Sequence, residues 1–255
     1  MGCYTLEACV DSVESALAAA KGGAGRLELC SNLIIGGTTP SPWLFREIRK
    51  YTDIPVNVLI RPRYGDFCYS DYEFNIIKEE VRMYSELGAN GLVLGILKPD
   101  GTLNLEQMKI LMEAAGDMEI TLHRAFDVCI NPYDALEQAK NLGIRSILTS
   151  GQKNTCTAGS GLIKELVDLS RGEIEILAGG GVDASVIKEI APLTGARAFH
   201  MSGKVSTDSA MKFRKEGVSM GQPFLDEYFI WKTEESKIRE ARLALEDVWG
   251  NKQNS

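Results

Sequence analysis

Seven side chains carry most of the chemistry this sequence offers: Glu7, Cys9, Glu28, Cys30, Arg61, His123 and His200. Histidine beside glutamate supplies proton transfer, the carboxylate fixing the tautomer or acting as base. An arginine fork answers an anionic group, and two neighbouring thiols form a donor pair for a soft ion. The seven share one setting. Leu6, Ala8 and Val10 lie on one parity and leave Glu7 and Cys9 on the other, as Leu27 and Leu29 leave Glu28 and Cys30. Val56, Val58 and Ile60 leave Asn57, Leu59 and Arg61; Ile120 and Leu122 leave Thr121 and His123; Phe199 and Met201 leave His200 and Ser202. Alternation with period two is the signature of a strand with two different faces.

Eight such segments, at residues 4–10, 26–31, 55–62, 91–96, 119–126, 145–150, 173–179 and 197–202, are each followed by a helix-like stretch. Asp11 and Ser12, Ser41 with Pro42, Asn131 with Pro132, and Asp183 open helices; Gly22, Gly88, Gly143 and Gly195 close them. A series of β-then-α units requires parallel strands. Eight of them predict a closed (β/α)8 TIM barrel, with residues 1–255 as one domain. A doubly wound open sheet is disfavoured because Asp11-Ser12-Val13-Glu14, not a glycine-rich fingerprint, follows the first strand. Residues 204–233 read as an insertion before a last amphipathic helix at 234–249. Its stretch Phe224-Leu225 to Tyr228-Phe229-Ile230-Trp231 is expected to cap the barrel bottom or to serve as an oligomer arm.

A net charge of −7 with no basic run interleaved with aromatics excludes a nucleic-acid binder. No apolar run is long enough for a membrane span, no signal segment opens the chain, and Leu6 breaks the myristoylation pattern begun by Met1-Gly2. The expected location is the cytoplasm. The six cysteines (Cys3, Cys9, Cys30, Cys68, Cys129 and Cys156) lack CxxC spacing and are expected to be reduced thiols.

Inside a barrel, apolar side chains are the rule, so a polar inner parity calls for partners or a ligand. Both histidines of the chain fall on it, at strand ends facing the mouth, with Arg63, Arg124 and Asp127 nearby. The loops Ser150-Gly151, Gly179-Gly180-Gly181 and Ser202-Gly203 suit an anion, because glycines allow backbone N–H groups to converge. Two chemistries follow. One is an enzyme for a small anionic or phosphorylated metabolite: Arg61 and Arg63 neutralise it, His123 or His200 moves a proton, and Glu7 or Glu28 assists. The other places a divalent metal on His123, His200 and a carboxylate. A Schiff-base lysine is disfavoured, since no lysine has an inward strand position.

The blocks Leu6 to Ser12, Gly22 to Ser31, Ile60-Arg61-Pro62-Arg63 with Gly65-Asp66-Phe67, and Leu122 to Asp127 resemble those of the CutC copper-homeostasis family. So do Leu148-Thr149-Ser150-Gly151, Gly179-Gly180-Gly181-Val182, Phe199-His200 and Met211-Lys212-Phe213-Arg214. Departures are Ala8, Gly25 and Tyr64, and none removes an inward polar group. The resemblance implies a cytoplasmic TIM-barrel protein, a homodimer or homotetramer, linked to copper handling. Cys9 and Cys30, on adjacent strands about 4.8 Å apart, then become the ligands expected for Cu(I).

Overall fold

In the computed structural model, which describes residues 4–218, 220–221 and 225–250, the eight units close on themselves. Cys3 and Phe224 lie outside the described residues. Strands β1 (Thr5–Val10), β2 (Arg26–Leu29), β3 (Val56–Leu59), β4 (Gly91–Leu94), β5 (Glu119–Leu122), β6 (Ser146–Thr149), β7 (Glu175–Ala178) and β8 (Ala198–Met201) pair in parallel in sequence order. β1 joins β8 to complete the barrel. Helices α1 (Val13–Gly22), α2 (Pro42–Arg49), α3 (Asp71–Glu86), α4 (Leu105–Ala115), α5 (Pro132–Leu142), α6 (Ser160–Ser170), α7 (Ala184–Thr194) and α8 (Glu235–Trp249) accompany them.

The helix ends follow local chemistry. Ser12, Ser41, Asn131 and Asp183 accept backbone N–H groups as N-caps. Gly23, rather than Gly22, takes the left-handed position that ends α1.

Seven of the eight strands are four residues long and so shorter than the sequence suggests. The chain at 119–126 shows why: beyond Leu122, the His123 side chain accepts the Ala125 N–H and turns Arg124–Val128 into a 3-10 helix.

The outward parity, including Leu6, Ala8, Val10, Leu27, Leu29, Val56, Val58 and Phe199, merges with the helices into the main core. The inward parity forms two small apolar clusters, Cys9 with Cys30, Leu59 and Val93, and Leu148 with Leu177 and Ala198. Apart from glycines such as Gly91 and Gly95, the remaining inner positions are polar, and Glu7, Glu28, Asn57, Arg61, Thr121 and His123 are all buried.

The insertion corrects one expectation. It leaves β8 at the mouth end and forms a two-stranded antiparallel sheet of β9 (Lys204–Asp208) and β10 (Phe229–Thr233), so it does not cap the bottom. Trp231, Phe229 and Leu225 face Ile34 of the loop after β2 across a groove beside the mouth. Thr233 ties the sheet back through its N–H to Ser15 Oγ and its hydroxyl to Ser202 O.

Candidate functional site

A cavity of about 580 Å³ opens at the C-terminal ends of the strands, and Cys9, Glu28, Arg61, His123, Gly180 and His200 all line it. Strand register decides which of them meet. Glu7 stands level with Arg26 on β2 and with His200 on β8, while Cys9 stands level with Glu28. One wall is therefore a connected polar array. Glu7, fully buried, accepts from Arg26 Nε at 2.5 Å on one oxygen and pairs with His200 Nδ1 at 2.7 Å on the other. Arg26 also reaches Glu175 at 3.2 Å. Cys9 Sγ lies 3.2 Å from Glu28 Oε1 and 3.7 Å from Cys30 Sγ. Glu28 Oε2 is buried with no partner.

The charges on this wall respond to burial and to one another. Burial alone would raise the Glu7 pKa, but Arg26 and His200 outweigh it and hold the carboxyl at about 2. Burial pushes Glu28 up, the His200 cation working against it. The Cys9 thiol is driven well above its usual value by Cys30, then by burial and Glu28. Burial disfavours a charged His200, yet Glu28 and Glu7 together raise its pKa.

The facing wall differs in kind. Arg61 donates to the carbonyls of Gly36 (3.1 Å), Gly37 (3.1 Å) and Gly65 (2.8 Å), and its guanidinium carbon lies 5.0 Å from the Phe67 ring centre. No carboxylate among the described residues pairs with it, so the balance with Glu7 or Glu28 that burial would demand is not made. His123 packs on the same Phe67, with ring centres 4.7 Å apart. Its Nδ1 accepts the Ala125 N–H, which leaves the proton on Nε2, and Nε2 is buried without a partner. Burial, then the Arg61 charge, pushes the His123 pKa down to about 3. Gly95 makes room for this ring, since a Cβ there would lie 2.9 Å from it.

The other expected residues divide. Gly180 and Gly181, with φ of 92° and 81°, line the cavity together with Ser202. Gly179 donates its N–H to Thr149 O. Gly203 packs against Ile238 of α8. Ser150 is committed to the loop, its N–H and hydroxyl on Asp127 and its Oγ shared with Arg124 and Lys153 O. Arg63 turns away from the mouth and binds Glu73 at 2.6 Å and Asp66 at 3.0 Å. A divalent set of His123, His200 and a carboxylate does not assemble. Among the described residues, the group whose ligand atoms lie within 4.8 Å of one another is Cys9, Glu28 and His200. Sequence reasoning missed Arg26 and Phe67, although Arg26 shares the inner parity of Glu28.

The model of the CutC family matches residues 4–205. The chain is 42% identical over 246 residues to the copper homeostasis protein cutC homologs of Mus musculus and Homo sapiens, covering 96% of this chain and 90% of each relative. Its fold superimposes on the crystal structure of a CutC protein from Streptococcus agalactiae with a TM-score of 0.75 and 34% identity, over 78% of this chain and 98% of that one.

Proposed function

The chain belongs to the CutC family, and from that premise we propose that the thiol-bearing wall of the barrel mouth binds Cu(I) as its cargo. One observation carries this reading: two buried sulfurs 3.7 Å apart, with Glu28 and His200 beside that of Cys9. Thiolate is the ligand that selects a soft monovalent ion over harder competitors. Cys9 is common to the thiol pair and to the Cys9–Glu28–His200 group, so it is the central ligand. Cys30 is the second sulfur, and His200 or Glu28 completes the set. The orphaned Glu28 Oε2 is the open acceptor of this group. Both Cys9 and a protonated His200 must lose a proton to ligate, and both have raised pKa values. Binding therefore releases protons and tightens as pH rises. A thiol site of this kind belongs in the reducing cytoplasm. The exposed Phe229, Ile230 and Trp231 of β10 fit a homodimer or homotetramer, which sedimentation velocity checks against the 28.0 kDa monomer.

Competition with a colorimetric Cu(I) chelator under anaerobic, reducing conditions tests the reading. We expect stoichiometric Cu(I), and a large loss of affinity in the Cys9→Ser, Cys30→Ser double variant with an unchanged circular dichroism spectrum. Equal competition by wild type and double variant removes the thiols as ligands; preferential retention of zinc removes copper as the cargo.

The His200–Glu7 pair favours a second reading, acid–base catalysis on a small anionic metabolite, since a carboxylate that orients a histidine is the apparatus of a general base.

A further inference from the structure

We propose that the opposite wall, Arg61 with His123, binds the carboxylate of a small organic acid. The inference goes beyond the metal reading and stands without it, because none of the metal-binding side chains belongs to this wall.

Arg61 is a buried cation whose charge no carboxylate among the described residues balances. Carbonyl dipoles of Gly36, Gly37 and Gly65 hold the guanidinium in place, and the Phe67 face covers it, but none of these carries a formal negative charge. The acids of the following segment, Asp66 and Glu73, are taken up by Arg63. Tyr69, which lies beside Arg61, stays a neutral phenol, burial raising its pKa to about 12 against the pull of Arg61 and Arg63. A buried charge without a counter-ion is costly, and a ligand anion relieves that cost. Arg61 Nε is itself buried without an acceptor.

His123 adds the second donor. Its Nδ1 is occupied by the Ala125 N–H, so the Nε2–H is fixed in direction and lacks an acceptor. The ring stays neutral at physiological pH, which makes it a hydrogen-bond donor and not a second cation. Phe67 is the shared wall of both groups, at 5.0 Å from the Arg61 guanidinium carbon and 4.7 Å from the His123 ring centre. One unbalanced positive charge with one neutral donor suits a singly charged carboxylate better than a phosphate dianion, which would leave excess negative charge in a buried site. The rest of such a ligand extends into the 580 Å³ cavity toward His200 and Glu28.

The test uses the full chain with metal chelators present, so that its failure is distinct from failure of the copper reading. Acetate, pyruvate and benzoate are titrated as probes at neutral pH, against inorganic phosphate. The readouts are calorimetry and the imidazole ¹⁵N–¹H signals of the two histidines. We expect at least one carboxylate to move the His123 Nε2–H signal with saturation, and phosphate to bind more weakly. Arg61→Met and His123→Phe should each weaken that binding by about tenfold or more. Because Arg61 also secures two loops, His123→Phe keeps the test decisive if Arg61→Met fails to fold. No perturbation by any carboxylate up to tens of millimolar overturns the proposal. So does binding that His123→Phe leaves intact, or a clear preference for phosphate.

Discussion

The two histidines of this chain line one cavity, yet the structure shifts their pKa values in opposite directions. His200 stands among carboxylates, and Glu28 and Glu7 raise its pKa despite burial. His123 stands beside a cation in an apolar recess, and burial with Arg61 lowers its pKa to about 3. The difference extends to the walls around them. The β1–β2–β8 side collects Glu7, Glu28, Cys9 and Cys30, donors that suit a cation; the side formed by Arg61, Phe67 and His123 has positive charge and a free N–H, which suit an anion. A residue type alone assigns no role here; the neighbours supplied by register and loop do.

The sharpest way to break this contrast is to remove Glu7. Glu7→Gln removes the carboxylate that pairs with both Arg26 and His200, leaving the more exposed Glu175 to Arg26 and Glu28 near His200. The expected loss is about 3 kcal/mol in urea unfolding, and a loss well under 1 kcal/mol would show that the array is not a coupled buried unit.

Next in size is the acid limb of stability. His123 has a folded pKa below the unfolded value of about 6.5, so its contribution is complete above pH 6.5 and is lost as pH falls from there toward 3. His123→Phe should flatten that part of the profile; an unchanged slope would mean that the ring is not held neutral. His200 has the reverse sign. Its folded pKa is raised, so its contribution is complete below about pH 6.5 and fades as pH rises through the folded value. NMR titration of the imidazole Cε1 protons should give His200 a midpoint above that of a free imidazole, moving down in Glu7→Gln. A His200 midpoint at or below that of a free imidazole would contradict the carboxylate-rich description.

The smallest effect belongs to Arg63→Gln. Its partners, Asp66 and Glu73, are solvent-accessible, and exposed pairs contribute little. Thermal midpoint and carboxylate binding should both stay near wild type. A marked fall in carboxylate affinity would mean that the anion wall reaches further than Arg61.

Parity made much of this site legible in the sequence. Glu7, Cys9, Glu28, Cys30, Asn57, Arg61, Thr121 and His123 are buried on the inner side, as the alternation of their apolar neighbours requires. Partner choice was not legible, because it depends on the stagger between strands as the barrel closes. That stagger puts Arg26, and not Arg61, level with Glu7. Arg61 keeps its inward direction because the chain there remains extended beyond β3, with Ile60 N–H on Val93 O and Arg61 N–H on Thr39 Oγ1. After Pro62 the extended run is over, the alternation no longer applies, and Arg63 faces its own loop. Gly180 and Gly181 do line the mouth, but the Ser150 loop is drawn into bonds with Asp127 that depend on tertiary contact.

The closure of β1 against β8 has a consequence for the order in which the protein is made. The bond from Glu7 to His200 spans 193 residues, and α8, which follows still later, packs against both α1 and α7. During synthesis, β1 therefore emerges early with one edge unpaired and a carboxylate that lacks its histidine, and both must wait until residues beyond 200 leave the ribosome. Exposed strand edges at that stage invite intermolecular pairing. Nascent chains stalled before residue 197 should accordingly be bound by chaperones and cut readily within β1, and chains released past α8 should resist the same protease.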